Sequence, residues 1–357
     1  MLKESYHIIG VMSGTSLDGI DLAEINFTKN ETWQFQILKA TTVHYTEEWL
    51  SKLKSLTQKS KKDLQQIDLD YTNYLADVIT TFVKKNNIKN IDAVCSHGHT
   101  ALHQPEQKLT YQIGNLPELA KKINQNVVCD FRVQDVEFGG QGAPLVPIGD
   151  QLLFSEYDYC INLGGFANVS TKIKNQRIAF DICPVNIVLN KYVQQLGLGF
   201  DDKGYLASQG KINQQLLEQL NALNFYKKSY PKSLGLEWVE EQIFPLIDKY
   251  DLTIKDILRI MVEHVAQQIA KVISQKVNVS VLLTGGGTYN DFLVERIKAL
   301  TNNKIVIPSK EIIEFKEALI FGFLGVLKLR DENNCLASVT GANKDHSSGN
   351  IFLNNNL

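Results

Sequence analysis

A short apolar run, a glycine-rich turn and a second apolar run follow one another twice in this sequence. The first unit has its runs at residues 7–12 and 20–27, joined by a turn at residues 14–19. The second unit covers residues 159–173 and has its turn at residues 163–168. Short apolar runs bounded by turn residues are typical of buried strands. One such unit in each half of the chain predicts two similarly folded lobes that face a cleft.

The segments between and after these units alternate between helix and strand patterns, which predicts an α/β layer fold. Apolar residues recur at helical spacing in the longest helix pattern, and short apolar runs mark the strands. Helices are predicted at residues 62–85, 117–123, 290–300 and 317–328, mostly helical structure at residues 206–276, and strands at residues 91–96, 126–131, 279–283 and 304–307.

The chain is long enough for two domain cores, because it has 357 residues of which 44% are hydrophobic. We expect a first lobe over residues 1–150 and a second lobe over residues 151–330. The C-terminal segment, about residues 330–357, is expected to return to the first lobe.

Charge and cysteine content narrow the range of partners and compartments. The formal net charge is −2, so neither nucleic acid nor an anionic lipid surface is a predicted partner. Five scattered cysteines without a C-x-x-C pair suit a reducing compartment. There is no signal-peptide core, and the longest apolar stretch, residues 318–327, is shorter than the roughly 20 residues of a membrane span. A cytoplasmic protein without membrane insertion is predicted, and a homodimer is expected from frequency alone.

The first glycine turn carries groups suited to a phosphate. Glycine lets backbone N–H groups approach phosphate oxygens, and the hydroxyls of Thr15 and Ser16 add donors. Asp18 and Asp21 offer the hard oxygen ligands that Mg²⁺ prefers, directly or through water. A plain hairpin turn explains the same residues equally well. The predicted phosphate-binding residues of this turn are Gly14, Thr15, Ser16, Leu17, Asp18, Gly19, Ile20 and Asp21.

Two further glycine turns also follow apolar strands. Each turn alone is a weak signal, but three turns at strand ends favour binding of the phosphates and the adenosine of one nucleotide. The G-x-x-x-x-G-K pattern of a Walker loop is absent from the sequence. The predicted binding residues of these two turns are Gly164, Gly165, Asn168, Gly285, Gly286 and Gly287.

His97 and His99 flank Gly98 in an arrangement that metal hydrolases also use. Such metal sites need further His and carboxylate ligands, and the chain has only 7 His. A loop that hydrogen-bonds a sugar is the preferred interpretation.

Two further segments place charged groups next to apolar residues. Asp181 is suited to act as a general base if it lies at a strand end facing a cleft, although a cap on the following turn is the simpler interpretation of that segment alone. The neighbouring Cys183 is interpreted as a buried thiol rather than a nucleophile. Asp130 and Arg132 suggest either a site for an anionic substrate group or an internal ion pair.

These residues together resemble the anhydro-N-acetylmuramic acid kinase family of the actin, sugar kinase and Hsp70-like ATPase superfamily. The resemblance extends in the right order over nearly the whole chain, and its first and fourth blocks are specific to the family. The matching blocks are residues 10–21 (GVMSGTSLDGID), 96–100 (SHGHT), 111–115 (YQIGN), 139–147 (GGQGAPLVP), 162–168 (NLGGFAN), 285–287 (GGG), 317–319 (EAL) and 338–342 (SVTGA).

The resemblance implies a two-lobed actin-like, ribonuclease H-like ATPase fold with the nucleotide between the lobes. It also implies a reaction that uses ATP and Mg²⁺. Water opens the 1,6-anhydro ring of anhydro-N-acetylmuramic acid while O6 takes the γ-phosphoryl group, giving N-acetylmuramic acid 6-phosphate and ADP in peptidoglycan recycling. By position, Asp181 is the general base that activates the water. The predicted substrate-binding residues are His97, Gln112, Arg132, Asp135 and Glu317.

The chain departs from the family pattern near Asp181. Cys183 and Val185 stand where the family has glycines, and Asn190 replaces a common Asp. Only Arg132 remains of a run of arginines. These departures keep two alternatives open, namely a kinase for a related sugar or anhydrosugar and a non-catalytic ATP-binding module.

Overall fold

A computed structural model describes residues 3–14 and 16–354 of the chain. Its strands are β1 (Ser5–Ser13), β2 (Ile20–Lys29), β3 (Trp33–Val43), β4 (Ala93–Gln104), β5 (Leu109–Ile113), β6 (Val127–Cys129), β7 (Tyr159–Leu163), β8 (Phe166–Ile173), β9 (Gln176–Pro184), β10 (Ser280–Thr284), β11 (Lys304–Val306) and β12 (Asn350–Phe352).

The α-helices lie between these strands and are joined by short 3₁₀ turns. They are α1 (Glu47–Lys54), α2 (Lys61–Lys85), α3 (Glu118–Ile123), α4 (Val133–Glu137), α5 (Val146–Leu153), α6 (Asn186–Val193), α7 (Tyr205–Ser208), α8 (Gln214–Asn221), α9 (Leu236–Trp238), α10 (Phe244–Ile247), α11 (Ile254–Ile273), α12 (Asp291–Ala299), α13 (Lys310–Leu329) and α14 (Ala337–Thr340). Among the described residues, none of the helices is both long and apolar enough to cross a membrane.

Two sheets share one strand order. The first sheet runs β12-β6-β4-β1-β2-β3, with β5 paired to β4, and the second runs β11-β10-β7-β8-β9. In each sheet three consecutive strands form an antiparallel meander, and two later strands are added in parallel beside the first strand of that meander. The predicted α/β class and the predicted repeat of one folding unit are therefore confirmed.

The first strand of each meander is central in its sheet. β1 pairs with β2 on one edge and with β4 on the other, and its residues from Ile8 to Ser13 are buried. A strand that is buried on both faces has a nearly continuous apolar sequence. The sequence therefore predicts this strand well. β3 pairs with β2, and beyond its buried first residue Trp33 its positions are partly buried or exposed. The sequence analysis did not predict β3, because this edge strand has no continuous apolar run.

The chain divides into two compact units. Unit 1 comprises Met1–Leu153 and Phe315–Leu357, and unit 2 comprises Phe154–Glu314. Residues 315–329, which were expected in the second lobe, belong to unit 1 because α13 packs against β1. Gly10 allows this packing, since a Cβ atom at Gly10 would collide with the carbonyl group of Ala318. The backbone of α13 departs from helical geometry at Phe315, with φ −116° and ψ 15°.

Each unit has its own apolar core built around a long amphipathic helix. In unit 1, α2 begins after Ser60, whose hydroxyl oxygen accepts a hydrogen bond from the N–H of Asp63, as N-cap serines commonly do. In unit 2, α11 begins after Thr253 in the same way, with Asp256 as the donor. Both helices bury their apolar faces in the core of their unit.

Candidate active site

The first glycine turn joins β1 to β2 and exposes the side chains of Ser16 and Asp18 to solvent. The N–H of Leu17 donates to the carbonyl of Gly14 at 3.3 Å, and Leu17 adopts a left-handed φ of 63°. The carbonyl of Asp18 accepts a hydrogen bond from Nδ1 of His44 at 2.8 Å, and the side chains of Ser16 and Asp18 are exposed. The predicted residue Thr15 lies outside the described residues.

Asp21 follows this turn on β2, one residue after the buried Ile20. One carboxylate oxygen of Asp21 accepts a hydrogen bond from the hydroxyl of Thr42 on β3 at 2.6 Å. Gly19, which ends the turn, is also buried. The cross-strand bond orients the Asp21 carboxylate at the edge of the turn.

A buried network of hydroxyl groups and one imidazole lies directly behind the turn. Oγ of Ser13 lies 2.5 Å from the hydroxyl of Tyr45, 2.9 Å from that of Tyr71 and 2.8 Å from Nδ1 of His99. Burial lowers the pKa of His99 to about 4, so its imidazole is neutral at pH 7. Burial also raises the pKa of Tyr45 to about 12. The network therefore carries no net charge behind the turn, and the sequence analysis missed Ser13, Tyr45 and Tyr71.

His97 and Arg132 are brought together in unit 1. Nε of Arg132 donates to Nε2 of His97 at 2.8 Å, and Nη1 donates to the carbonyl of Gly142 at 2.7 Å. Nδ1 of His97 faces the carbonyl of Gly98 at 2.8 Å and therefore bears the proton. Burial, with the charge of Arg132, lowers the pKa of His97 well below its usual range. Neither nitrogen of His97 has a lone pair left for a metal ion, which argues against the metal interpretation of the histidine motif.

Asp130 and Arg132 do not form the internal ion pair that the sequence left open. The carboxylate of Asp130 accepts hydrogen bonds from the side-chain amides of Asn115 at 2.9 Å and Asn350 at 3.0 Å. The guanidinium of Arg132 binds His97 and a carbonyl instead. Arg132 therefore keeps donors that a ligand can use.

Glu317 adds a carboxylate to this part of unit 1. Its side chain is solvent-accessible on α13, yet crowding by neighbouring atoms raises its pKa. Arg132 opposes this rise in the pKa of Glu317, and the charge of Asp21 adds to it. The Glu317 carboxylate is therefore within electrostatic reach of both Arg132 and Asp21.

Gln112 and Asp135 are buried, as His97 is, whereas Arg132 is partly buried and Glu317 is exposed. Nε2 of Gln112 donates to Oγ1 of Thr110 at 2.8 Å, while its buried Oε1 has no hydrogen-bond partner among the described residues. Asp135 is 0% exposed, and its carboxylate accepts from the N–H of Gly142 and from the hydroxyl of Thr340, both at 2.7 Å. Asp135 therefore holds a loop in place rather than facing an open surface.

The second glycine turn, in unit 2, is tied to the segment that follows Asp181. The N–H of Val185 donates to the carbonyl of Gly165 at 2.8 Å, and the N–H of Asn186 donates to the carbonyl of Gly164 at 3.3 Å. These bonds hold the start of α6 against the turn.

The third glycine turn meets the second through a residue that the sequence analysis did not single out. Gly285 has a φ of 83°, and a Cβ atom there would collide with Oδ1 of Asn162. Asn162 on β7 is paired with Asn168 on β8 and with Thr284 on β10. An Asn inside an otherwise apolar strand was the available signal for this position. The carbonyl of Gly285 accepts a hydrogen bond from Oγ1 of Thr288 at 2.6 Å. This bond closes the short 3₁₀ turn that contains Gly286 and Gly287.

Asp181 lies on β9, directly across from Asn168, where the pairing register shifts. One oxygen of its carboxylate accepts a hydrogen bond from the N–H of Leu234 at 2.7 Å. Partial burial raises the pKa of Asp181, while the bond from Leu234 and the charge of Lys232 oppose this rise. Asp181 is not the cap of α6, because α6 begins after Val185 without a side-chain cap. A half-buried carboxylate with a raised pKa is the form that acid–base catalysis requires.

The two residues that replace family glycines point into the core of unit 2. Cys183 and Val185 are both 0% exposed and belong to its apolar cluster. Burial raises the pKa of the Cys183 thiol far above its usual range, so it is not a nucleophile. Both side chains are accommodated in the apolar core, and the carboxylate of Asp181 keeps its hydrogen bond from Leu234.

Comparison with known proteins identifies the family of this chain. The model of the anhydro-N-acetylmuramic acid kinase family matches residues 6–354. The anhydro-N-acetylmuramic acid kinase of Mannheimia succiniciproducens is 33% identical over 99% of this chain and 100% of its own length. That of Clostridioides difficile is 33% identical over 96% of this chain and 97% of its own. Among solved structures, (R)-2-hydroxyglutaryl-CoA dehydratase component A of Acidaminococcus fermentans aligns over 88% of this chain and 95% of its own, at 12% identity and a TM-score of 0.46.

Proposed function

The chain belongs to the anhydro-N-acetylmuramic acid kinase family, and we propose that Asp181 is its catalytic base. The reaction opens the 1,6-anhydro ring of anhydro-N-acetylmuramic acid with water and phosphorylates O6 at the expense of ATP. The products are N-acetylmuramic acid 6-phosphate and ADP, as peptidoglycan recycling requires. Because the reaction consumes ATP, we assign the protein to the cytoplasm.

The environment of Asp181 is the observation that carries this assignment. Water must lose a proton as its oxygen bonds to the anomeric carbon and the C1–O6 bond breaks. A carboxylate whose pKa is raised by burial accepts that proton more readily than an exposed one. The N–H of Leu234 holds one oxygen of Asp181, which leaves the other oxygen for the water.

The sugar-binding residues of this proposal come from unit 1. Arg132 is oriented by His97 and by the carbonyl of Gly142, and its remaining N–H donors suit the carboxylate of a muramic acid. Glu317 accepts hydrogen bonds from sugar hydroxyls. The unpartnered Oε1 of Gln112 accepts a hydrogen bond from the substrate. Asp135 acts through Gly142 and is a positioning residue.

The glycine turns of both units bind the nucleotide in this proposal. Gly14 to Asp21 contribute backbone N–H groups and hydroxyls, as do Gly164, Gly165 and Asn168 for the phosphates and Gly285 to Gly287 on the adenosine side. Asp18 is exposed in the turn, and the hydroxyl of Thr42 orients the Asp21 carboxylate beside it. Carboxylate oxygens of this kind suit Mg²⁺, directly or through water. When bound, the ion neutralises charge on the transferring phosphoryl group.

Product analysis in ¹⁸O-labelled water tests the reaction. The chain is incubated with ATP, Mg²⁺ and anhydro-N-acetylmuramic acid, and the sugar phosphate is measured by mass spectrometry. We expect one ¹⁸O atom at the anomeric hydroxyl and phosphate on O6. Asp181→Asn should lower kcat by about 10²–10⁴-fold, the usual contribution of a general base, while nucleotide binding is retained.

Asp158→Asn is the matched control, because Asp158 is a partly exposed carboxylate of the same unit whose nearest approach to Lys276 is a loose 3.8 Å. Retained turnover in Asp181→Asn would remove Asp181 as the base. A product without label, or turnover of intact hexosamines in a substrate panel, would favour a related sugar kinase. Tight ATP binding without sugar-dependent ADP release would favour a non-catalytic module.

A further inference from the structure

Cys335 and His346 are direct neighbours across a short antiparallel bridge in unit 1. The N–H of Cys335 donates to the carbonyl of His346 at 3.0 Å, and the N–H of His346 donates back to the carbonyl of Cys335 at 3.2 Å. Residues that exchange both backbone bonds have side chains on the same side of the pair. The backbone therefore sets a thiol beside an imidazole.

The loop that carries this pair is held firmly. Nδ2 of Asn334 donates to the carbonyls of Leu324 at 3.0 Å and Ser348 at 2.9 Å, and Oδ1 of Asn334 accepts from the N–H of Ser348 at 2.7 Å. The ring of Phe138 packs edge-on against the ring of His346, with the centroids 4.9 Å apart. The backbone of the loop and the ring of His346 are thus held in place before any ligand arrives.

Asp135 supplies a third donor at the same place. Its Oδ1 lies 3.6 Å from Nε2 of His346. One ligand atom each from Asp135, Cys335 and His346 lie within 4.8 Å of one another, and all three residues are buried. Zinc lies about 2.0–2.3 Å from donors of this kind, so side-chain rotations that draw these three atoms closer together would let them share one ion.

The imidazole of His346 has an unused lone pair that faces this cluster. Its Nδ1 lies 3.0 Å from the carbonyl of Lys344 and therefore carries the proton. Nε2 is then an acceptor, yet among the described residues it has no hydrogen-bond partner, although His346 is only 5% exposed. A buried polar atom without a partner is costly. The Oδ1 atom of Asp135, 3.6 Å away, is itself an acceptor, and a cation between the two atoms would satisfy both.

We propose that Asp135, Cys335 and His346 form a binding site for a zinc-class divalent cation. A nitrogen, a sulfur and an oxygen donor suit zinc, whereas Mg²⁺ and Ca²⁺ prefer oxygen donors alone. A thiolate and a carboxylate together balance the two positive charges of the ion, so the buried site is neutral when filled.

Filling the site requires the thiol to lose its proton. The metal–sulfur bond forms as that proton is released to solvent. Metal affinity should therefore increase with pH.

The site would support the substrate-binding loop. The carboxylate of Asp135 also accepts from the N–H of Gly142, whose carbonyl accepts from Arg132. An ion on Asp135 would fix the C-terminal segment to the loop that orients Arg132. The binding of the ion itself does not depend on the proposed kinase reaction.

Titration of the full chain with Co²⁺ tests the site without reference to activity. A cobalt–thiolate bond gives a charge-transfer absorption band in the near ultraviolet. We expect this band to saturate at one equivalent of Co²⁺, to disappear when Zn²⁺ is added, and to be absent in Cys335→Ser. His346→Gln should weaken Zn²⁺ binding by about 10–100-fold or more, measured by competition with a chromophoric chelator.

Cys160→Ser is the matched control, because Cys160 is a buried cysteine of unit 2. It should retain the full cobalt band. Absence of the band in the wild-type chain, or its persistence in Cys335→Ser, would overturn the proposal. If a variant does not fold, the titration of the wild-type chain still tests whether a cobalt–thiolate bond forms. Loss of the band in Cys160→Ser would show that the cobalt binds at Cys160 instead and would also overturn the proposal.

Discussion

The two units repeat one strand order but place different residues at corresponding points. Ser13 is the last residue of β1 and Leu163 is the last residue of β7, and each directly precedes a glycine turn. Both are buried, at 2% and 0% exposed. Ser13 joins a network of Tyr45, Tyr71 and His99, whereas Leu163 belongs to the apolar cluster of unit 2.

This difference shows that the strand order alone does not determine what supports a glycine turn. In unit 1 the turn is supported by directional hydrogen bonds, which fix the positions of the hydroxyl groups. In unit 2 the turn is supported by non-directional packing, and the polar groups, Asn162 and Asn168, lie in the strands themselves. A satisfied polar network specifies one arrangement more sharply than packing does, but it is more costly to leave incomplete.

The largest effect on stability is expected from Leu163→Ala. Truncation of a fully buried Leu lowers the free energy of unfolding by about 2–5 kcal/mol, because apolar burial is lost and a cavity remains. Urea denaturation measures the change. Leu163→Met, which nearly conserves the volume, should cost less than about 1.5 kcal/mol. Equal losses in the two variants would contradict a packing role for this position.

A smaller loss is expected from Ser13→Ala. Removing the Ser13 hydroxyl leaves the buried hydroxyl of Tyr45 and Nδ1 of His99 without this hydrogen-bond partner. The loss should lower the free energy of unfolding by about 1–3 kcal/mol. Combining this variant with Tyr71→Phe should give less than the sum of the single losses, because both changes break the same network. Additive losses would show that the three hydroxyl groups act independently. Ser13→Ala and Leu163→Ala would then differ only in how much each lowers the free energy of unfolding.

The smallest effect per residue and per pH unit is expected on the pH dependence of stability, where unit 1 should contribute more than unit 2. Burial lowers the pKa values of His97 and His99 in unit 1 and that of His264 in unit 2. Below about pH 6.5, the usual His pKa, the unfolded chain binds protons that the folded chain excludes. Stability is therefore full above that pH and falls toward the lowered pKa values, by up to about 1.4 kcal/mol per pH unit for each histidine.

Urea midpoints between pH 7 and pH 5 measure this slope. His99→Gln should reduce it, because the substituted side chain does not titrate, and so should His264→Gln in unit 2. An unchanged slope in His99→Gln would mean that this imidazole is not held neutral by the network around Ser13.

Strands and helices with strong patterns could be predicted from the sequence, and the edge strands β3 and β12 could not. The helix predicted at residues 62–85 is α2 (Lys61–Lys85), and the run at residues 7–12 lies within β1. β3 and β12 were missed because edge strands are partly exposed and lack a continuous apolar run. The same limit applied to the site, where glycine turns could be recognised locally but the contact between Asn162 and Gly285 joins residues distant in sequence.

The sequence by itself determined the repeated folding unit, the family and the type of chemistry, because these depend on local patterns and on motifs that are read in order along the chain. Only the tertiary structure decided which groups meet. It paired Arg132 with His97, placed Leu234 against Asp181 and enclosed Asp135 with Cys335 and His346. The physical reason is that hydrogen bonds, burial and the pKa shifts they cause depend on distances between atoms, and distances between remote segments are set only by folding.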